Sequence, residues 1–300
     1  MLELDKKKIR KGKPIGLPYK GSKKRISKKI VEIIKQNFGT EKPIYDIFGG
    51  GGAITAECLI NGLEVHYNDL DRTITDMFQR VLATDREFLK TLIVSRDEFF
   101  KIREKENKTI DDELKLLVNS FRNDRKTYLY SKEFSDLKYN LAVEIIKKHD
   151  TFSGYKKTDT YKKAYRPYDV GTVARAQVLL QFQRIQPLER LQKMSIKNLK
   201  ITNHDYTHFS YLSDAIIYLD PPYENTILEG YSISEFDNQS FYDWAYNMSK
   251  KNIVLISSYE ISDSRFECVY EFKNASRTNY GGAHRKKTEK LFMVKKGGVK

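Results

Sequence analysis

Seven short apolar runs are distributed along the 300-residue chain, and they restrict its fold more than any other feature of the sequence. Most of them end in a polar or glycine-rich turn, and several are separated by segments in which apolar residues have helical spacing. Strands that alternate with helices are typical of an α/β domain, in which helices cover the faces of one sheet. We therefore predict an α/β fold. Its strands are Pro43–Phe48, Leu63–Tyr67, Leu199–Thr202, Ala215–Leu219, Ile253–Ser257, Cys268–Phe272 and Leu291–Val294.

The pattern changes between about Asp85 and Leu191, where apolar residues keep helical spacing and no strand-like run of similar strength occurs. We predict that residues 1–85 and 190–300 form the α/β domain and that residues 86–189 form a mostly helical insertion. Basic and aromatic residues alternate in this insertion, at Lys126, Tyr128, Tyr130, Lys132, Phe134, Tyr155, Lys156, Lys157, Tyr161, Lys162, Lys163, Tyr165 and Arg166. Such a surface suits stacking on bases and pairing with phosphates. A tyrosine-rich helical surface without that role is the alternative.

The chain is strongly basic, with 54 lysines and arginines against 40 acidic residues and a formal net charge of +14. The basic residues crowd both ends of the chain, before about Lys29 and after about Lys273. Basic side chains from the two ends that converged on one face would neutralise phosphates. The charge therefore favours a polyanionic partner, although an ordinary solvated surface has the same composition.

Other classes of protein fit the sequence less well. Two distant cysteines, Cys58 and Cys268, form neither a disulfide framework nor a zinc set, so we expect a reducing cytoplasmic location. No run reaches the roughly 18 apolar residues that a membrane span requires. The N-terminus is rich in lysine and is not followed by the apolar stretch of a secretory signal. We expect its first ten or so polar residues to be frayed.

The tetrapeptide Asp220-Pro221-Pro222-Tyr223 follows the apolar run Ala215–Leu219, so its carboxylate is predicted at the edge where open α/β sheets bind ligands. Two prolines fix the backbone and remove two N–H donors. The Asp220 carboxylate and the Pro221 carbonyl then offer two acceptors to one primary amine, and Tyr223 offers a flat face beside them. Acceptors placed in this way expose the lone pair of the amine nitrogen to an electrophilic methyl group. The tetrapeptide thus predicts a site for a planar ring with an amino group, although Asp-Pro-Pro also occurs in ordinary turns.

Two further loops indicate a cofactor that contains a nucleoside. The segment from Asp46 to Ala53 closes one predicted strand and opens a helix with four consecutive glycines, which allow close approach of a ligand to the backbone. Asp69 ends the next strand, where an acidic residue accepts hydrogen bonds from ribose hydroxyls. Helix capping by Asn68 or Asp71 is the alternative for this second loop.

A third polar turn, His204-Asp205-Tyr206, follows the strand before Asp220. His204, Asp205 and His208 do not have the spacing of a recognisable metal site, so we expect no metal. We expect Asp205 instead to accept a hydrogen bond from the adenine amine of the cofactor.

The order of these motifs resembles that of the Dam-type family of DNA adenine-N6 methyltransferases. The tetrapeptide matches the family's DPPY motif without change, and Phe48, Gly50 and Gly52 match its FxGxG motif. The segment Tyr19-Lys20-Gly21-Ser22-Lys23 resembles the family's N-terminal motif, an aromatic residue followed after one residue by Gly-Gly-Lys. Asp69 matches the ribose-binding acidic residue, and Asp205-Tyr206 matches an Asp-Phe pair. Tyr231 matches a downstream tyrosine, and Gly281–Phe292 resembles a basic loop before the last strand.

The resemblance implies a seven-stranded S-adenosylmethionine-dependent methyltransferase sheet with one antiparallel strand. The insertion would be the target-recognition domain, and it lacks the Asn-x-x-Gly-x-Phe-x-x-Pro hairpin that accompanies GATC recognition. The implied catalytic residues are Asp220, Pro221, Pro222 and Tyr223. The implied residues for S-adenosylmethionine are Tyr19, Lys23, Asp46, Phe48, Gly50, Gly52, Asp69, Asp205, Tyr206 and Asp220.

The implied activity is site-specific methylation of a flipped-out adenine in double-stranded DNA, by a monomer or weak dimer. An RNA adenine methyltransferase would hold the same base in the same way. A non-catalytic nucleic-acid-binding relative has no need of all the motifs together. Methyltransferases that act on glutamine in proteins usually carry Asn before Pro-Pro-Tyr, where this chain has Asp220.

Overall fold

The computed structural model of the protein describes residues 1–19, 21–165, 178–224, 236–272 and 288–295. The chain forms two compact units. The sheet unit consists of Met1–Pro14, Lys23–Thr75 and Ser195–Lys300, and the helical unit consists of Ile15–Ser22 and Asp76–Met194. The helical unit is thus formed mainly by the part of the chain that lacks strand-like runs.

The sheet unit contains one seven-stranded sheet with the strand order 3-2-1-4-5-7-6. Its strands are β1 Ile44–Asp46, β2 Val65–Asn68, β3 Leu199–Thr202, β4 Ile216–Leu219, β5 Ile253–Ser258, β6 Phe266–Glu271 and β7 Lys290–Val294. Strands β1 to β5 are parallel, and β7 runs antiparallel to both β5 and β6. Each predicted run forms a strand, so the predicted α/β fold with one antiparallel strand is confirmed.

Burial explains why the central runs become strands. All four residues of β4, and all three of β1, are buried, as expected for parallel strands covered on both faces. The ends of the predicted runs shift by a few residues. Strand β6, for example, begins at Phe266, a ring that is buried, and its pairing with β7 is irregular between Cys268 and Tyr270.

The α-helices of the described residues are α1 Ser27–Phe38, α2 Ala53–Ile60, α3 Arg72–Leu82, α4 Arg86–Thr91, α5 Arg96–Arg103, α6 Ile110–Asn119, α7 Lys132–His149, α8 Asp159–Tyr165, α9 Leu180–Gln192 and α10 Asn238–Met248. In α1 the buried stripe includes Ile30, Ile33 and Ile34, and the helix ends at Gly39 in a positive-φ conformation. In α10, Asp237 caps the first turn by accepting from the Ser240 N–H at 3.1 Å. Within the described part of the chain, no helix has the length and apolar character of a membrane span.

The N-terminal segment is held to the sheet unit, so the expectation of a frayed end is wrong. The Leu2 N–H donates to the carbonyl of Val269, in the edge strand β6, at 2.8 Å. The Arg10 guanidinium donates two hydrogen bonds to the Glu57 carboxylate in a bidentate ion pair, at 2.7 and 2.8 Å. Because Glu57 is buried in α2, this charged pair anchors the segment.

Four tyrosines of the basic-aromatic alternation lie in the interior of the helical unit, so the prediction of a surface position is wrong for these four. Tyr128, Tyr130, Tyr155 and Tyr161 are all less than a tenth exposed. Their hydroxyls are used inside the unit: that of Tyr128, for example, donates to the Val94 carbonyl at 2.9 Å. Buried rings of this kind stabilise the fold and are not available for stacking on bases.

The turn between β1 and α2 depends on a glycine that lies against an aromatic ring. The Gly49 N–H donates to the Asn68 carbonyl at 2.8 Å, so the turn lies directly on β2. A Cβ atom at Gly49 would be 2.3 Å from the ring of Tyr67, which is fully buried and cannot move aside. Position 49 therefore requires glycine for close packing, whereas Gly50 and Gly52 have positive φ angles of 48° and 67°.

We predict that Gly49→Ala lowers the free energy of unfolding of the sheet unit by about 2–3 kcal/mol, because the methyl group overpacks the turn. Urea unfolding followed by the fluorescence of Trp244, the one tryptophan of the chain, measures this quantity. Gly62→Ala is the matched control: its φ is +75° but its added Cβ meets nothing within 4 Å, so backbone strain alone should cost about 1 kcal/mol. Equal losses in the two variants would contradict the packing explanation.

Candidate functional site

The carboxyl ends of three adjacent parallel strands meet in the sheet unit. From β1 the chain continues to β2 and β3 on one side of the sheet, whereas β4 and β5 lie on the other side of β1. Such a reversal of strand order opens a crevice at the carboxyl ends of the strands. Asp46 ends β1, Asp69 follows β2 and Asp220 follows β4. The topology therefore brings three of the predicted site residues to one edge.

Gly50 links the glycine loop to the acidic residue after β2. Its N–H donates to Oδ2 of Asp69 at 2.7 Å, and its carbonyl accepts from the Tyr67 hydroxyl at 2.6 Å. Oδ1 of Asp69 accepts from the Asp71 N–H at 2.9 Å. Asp69 is partly buried, and this burial raises its pKa to about 6. The loop and the predicted ribose-binding acid thus form one connected structure.

Asp46 is a buried anchor beneath this loop. One of its oxygens accepts from the Thr55 N–H at 3.1 Å and from the Thr55 hydroxyl at 2.6 Å, which attaches β1 to the first turn of α2. The side chain is only 1% exposed. Burial raises its pKa to about 7, with smaller contributions from the negative charges of Asp220 and Asp69.

Of the two residues predicted as alternative helix caps, Asp71 caps a helix and Asn68 does not. Asp71 accepts from the Thr73 N–H at 2.9 Å at the start of α3. Asn68 instead donates to the carbonyls of Ile47 and His204, at 3.0 and 2.9 Å, and accepts from the His204 N–H at 2.9 Å. This buried amide ties together the ends of β1, β2 and β3 and keeps the three loops in register.

Asp205 and Tyr206 open a 3-10 turn, Tyr206–Tyr211, after β3. Asp205 is exposed and caps the turn by accepting from the Thr207 N–H at 2.9 Å. The Tyr206 ring stacks on Phe48, with 6.0 Å between the ring centroids. The structure therefore brings Phe48 and Tyr206 together, as two aromatic faces next to the glycine loop.

His204 and His208, the metal alternative in this turn, stack with their ring centroids 3.9 Å apart. Among the described residues, no group of three or more His, Cys, Asp or Glu side chains is arranged to hold a metal ion.

Asp220 lies in a cluster of charged and aromatic side chains. Its side chain is 17% exposed; Oδ2 pairs with Lys23 Nζ at 2.7 Å, and Oδ1 accepts from the Tyr223 hydroxyl at 3.0 Å. Burial raises the pKa of Asp220, and the Lys23 ammonium partly opposes this shift. Pro221 is buried and Pro222 is half-buried, so the short link between Asp220 and Tyr223 is fixed against the sheet.

Glu289 is a member of this cluster that the sequence did not identify. It directly precedes β7 and is 6% exposed. Its Oε1 accepts from the Tyr223 hydroxyl and lies 3.7 Å from Lys23 Nζ. An acidic residue directly before a strand carries no signal in one sequence, because acidic residues at strand ends are usually exposed to solvent.

The N-terminal motif is divided between the two units, and part of the C-terminal motifs is not described. Tyr19 belongs to the helical unit, where its carbonyl accepts from the Ser22 N–H at 3.3 Å, while Lys23 belongs to the sheet unit. Tyr231 and residues 281–287 of the basic loop lie outside the described residues.

The helical unit carries a groove of about 480 Å³ lined by basic and aromatic side chains. The guanidinium carbons of Arg96 and Arg103 lie 5.0 and 4.6 Å from the centroid of the Phe100 ring. Lys126 and Phe121 also line the groove. Cations above aromatic rings present flat, positively charged faces.

One wall of the groove comes from a tight loop, residues 120–128, which we call the Phe121 loop. The Phe121 N–H donates to the Thr127 carbonyl at 2.6 Å, and Arg122, Asn123 and Arg125 within it have φ angles of 52°, 60° and 58°. Positive φ is strained for residues other than glycine and is frequent at functional sites. The Phe121 ring is 47% exposed. The loop was not predicted, because its sequence lacks the glycine of the familiar hairpin.

Comparison with known proteins places these features in a family. The family model for D12 class N6 adenine-specific DNA methyltransferases matches residues 19–280. A Haemophilus influenzae protein provisionally named a methylase has a similar structure, with 9% identity and a TM-score of 0.34 over 89% of this chain and 95% of that chain. An Escherichia coli protein provisionally named a methyltransferase has 10% identity and a TM-score of 0.34 over 94% and 90%.

Similarity at this level to the two solved structures adds nothing to the assignment, and no curated protein matches the chain in sequence. The family match extends over most of the chain, from the Tyr19 motif through the glycine loop and the DPPY tetrapeptide. It confirms the resemblance that the motifs indicated. The chain belongs to the D12 class N6 adenine-specific DNA methyltransferase family.

Proposed function

We propose that the protein is a site-specific DNA methyltransferase that transfers a methyl group from S-adenosylmethionine to the N6 amine of adenine. The observation that carries this proposal is the position of Asp220 and Tyr223, one strand away from the glycine loop and two strands away from Asp69 at the same edge of the sheet. An acceptor for an amine and a site for a nucleoside are thereby adjacent in one unit. The sheet unit is the catalytic domain in this proposal.

The residues at the ends of β1 and β2 fit the nucleoside of the cofactor. Each oxygen of Asp69 accepts one backbone N–H, so each retains a lone pair for a ribose hydroxyl. Gly50 and Gly52 allow the ligand to approach the backbone. Phe48 and Tyr206 offer aromatic faces, and Asp205 offers an exposed carboxylate. S-adenosylmethionine bound here supplies a methyl group on a positively charged sulfur.

The chemistry required of the protein is mostly positioning. Asp220 and the Pro221 carbonyl hold the adenine amine, and Tyr223 stacks on the base after it has flipped out of the duplex. A new nitrogen–carbon bond forms as the sulfur–carbon bond breaks; the sulfur leaves as a neutral thioether, and the amine nitrogen releases one proton to solvent. Acceptors that are already in place stabilise the positive charge that develops on this nitrogen.

The helical unit supports DNA as the substrate and target recognition as its own role. Its groove combines Arg96, Arg103 and Lys126 with the Phe100 and Phe121 rings, a combination suited to phosphates and bases. The net charge of +14 favours the same partner. The matched family model is one of DNA methyltransferases, which favours DNA over RNA.

We predict that Asp220→Ala lowers the rate of methyl transfer by at least about 1,000-fold, because it removes an acceptor for the developing charge. Transfer of tritium from labelled S-adenosylmethionine to duplex DNA measures the rate, with ribosomal RNA as the competing substrate. Asp214→Ala, at an exposed aspartate that pairs with Lys42, should leave the rate unchanged. Wild-type activity on RNA alone, or an unchanged rate in Asp220→Ala, would refute the proposal.

Cofactor affinity should weaken as the pH falls below about 6, because binding uses the ionised form of Asp69 and burial raises its pKa to about 6. Above this pKa the carboxylate is already ionised. Below it, the free protein holds a proton that the ligand must displace, so the affinity falls by up to about tenfold per pH unit.

Calorimetric titration with S-adenosylmethionine between about pH 8 and about pH 5 tests this pH dependence. Asp69→Asn should bind more weakly at the higher pH and change by less than about threefold over the range. An Asp69→Asn variant that keeps the full wild-type pH dependence would assign the titration to another group.

Removal of two cations from the Phe121 loop should weaken DNA binding. For the double variant Arg122→Ala/Lys126→Ala we expect about tenfold lower affinity and a salt-dependence slope smaller by about two, because two phosphate contacts are lost. Fluorescence anisotropy of a labelled duplex at several salt concentrations measures both. Lys147→Ala/Lys148→Ala, in the last turn of α7, removes the same charge and should have a smaller effect. Equal effects would show that total charge, and not this loop, sets the affinity.

A further inference from the structure

Both oxygens of the Asp220 carboxylate are already in use within the protein. Oδ2 pairs with Lys23 Nζ at 2.7 Å, and Oδ1 accepts from the Tyr223 hydroxyl at 3.0 Å. An incoming adenine amine must therefore share Asp220 with these groups or replace one of them. A group that leaves a buried carboxylate needs another partner, because an unpaired buried polar group costs about 1–3 kcal/mol.

The Tyr223 hydroxyl already has a second acceptor. It contacts Oε1 of Glu289 as well as Oδ1 of Asp220, and it has a single proton to donate. Glu289 is fixed in place: its backbone carbonyl accepts from the Phe272 N–H at 2.9 Å, and the side chain is 6% exposed. The Tyr223 hydroxyl can thus turn its hydrogen bond from Asp220 to Glu289 while the ring stays in place.

Lys23 is also shared between the two carboxylates. Its Nζ lies 2.7 Å from Asp220, 3.7 Å from Glu289 and 5.0 Å from the centroid of the Tyr223 ring. The ring of Tyr223 further contacts Tyr259 edge to face, with 4.8 Å between centroids. Burial raises the pKa of both carboxyls, and the ammonium opposes that shift in both. Lys23, Asp220, Tyr223 and Glu289 thus form one connected network.

We propose that Glu289 is a positioning residue for methyl transfer, which accepts the Tyr223 hydroxyl when the target amine occupies Asp220. The proposal rests on the function proposed above for Asp220. Glu289 acts through its neighbours and does not touch the base. Its effect is to free Oδ1 of Asp220 while the Tyr223 ring keeps the orientation in which adenine stacks on it.

A merely structural role for Glu289, as a counter-charge that stabilises the fold, makes a different prediction. It would change stability and the binding of both substrates, and its effect would not depend on the Tyr223 hydroxyl. The positioning role makes the effect of Glu289 depend on that hydroxyl. A double-mutant cycle separates the two roles, because it measures the coupling of two groups independently of their separate effects on the fold.

The experiment measures single-turnover methyl transfer to duplex DNA at saturating cofactor, together with KM for DNA. We expect Glu289→Ala to lower the turnover rate by about 10- to 100-fold with KM within about threefold of wild type, because the misplaced ring and amine slow the chemical step. Glu289→Gln, whose amide oxygen still accepts the hydroxyl, should recover most of the rate. Glu260→Gln, at an exposed glutamate that pairs with Lys290 at 2.7 Å, is the matched control and should be unchanged.

The cycle adds Tyr223→Phe, which keeps the ring and removes the hydroxyl. In that background Glu289→Gln and Glu289→Ala should differ from Tyr223→Phe by less than about threefold, since the group that Glu289 accepts is gone. Additive effects of the two positions, or Glu289→Ala at the wild-type rate, would overturn the proposal. Absence of methyl transfer in the wild-type protein would instead overturn the proposed function itself, so the two failures are distinguishable.

Discussion

Parallel pairing of β1 with β2 on one side and with β4 on the other is the interaction on which the candidate site depends. Each strand contributes a short polar loop at its carboxyl end, and the pairing sets these loops side by side. Hydrogen bonds then fix their relative positions: Asn68 ties three strand ends together, and the Gly50 N–H binds Asp69. The buried or partly buried carboxylates at this edge are stable there because each is hydrogen-bonded, and Asp220 is also paired with a cation.

Much of the sheet unit could be predicted from the sequence, because the signals are local. Runs such as Ile216–Leu219 are apolar and lie between turns, and a strand with two buried faces requires such a run. The glycines and acidic residues after β1, β2 and β4 are also local signals. Their meeting at one edge follows from the parallel order, which the alternation of strands and helices implies.

What could not be predicted depends on contacts between distant parts of the chain. Tyr128 and Tyr155 are interleaved with lysines, as in a surface that binds nucleic acid, but their rings are buried in the helical unit. Glu289 meets Tyr223 across 66 residues of sequence, and only the antiparallel addition of β7 brings the two together. The Phe121 loop contains no glycine, so its strained turn has no local signal.

The central claim is that this chain methylates adenine in DNA through Asp220. Sequencing that detects modified bases, applied to plasmid from cells without other adenine methyltransferases, tests it most directly. The account predicts N6-methyladenine at one recurring short sequence in plasmid from cells that express the wild-type chain, and none with Asp220→Ala. Unmodified plasmid from cells that contain folded wild-type protein, or equal modification with Asp220→Ala, would contradict it.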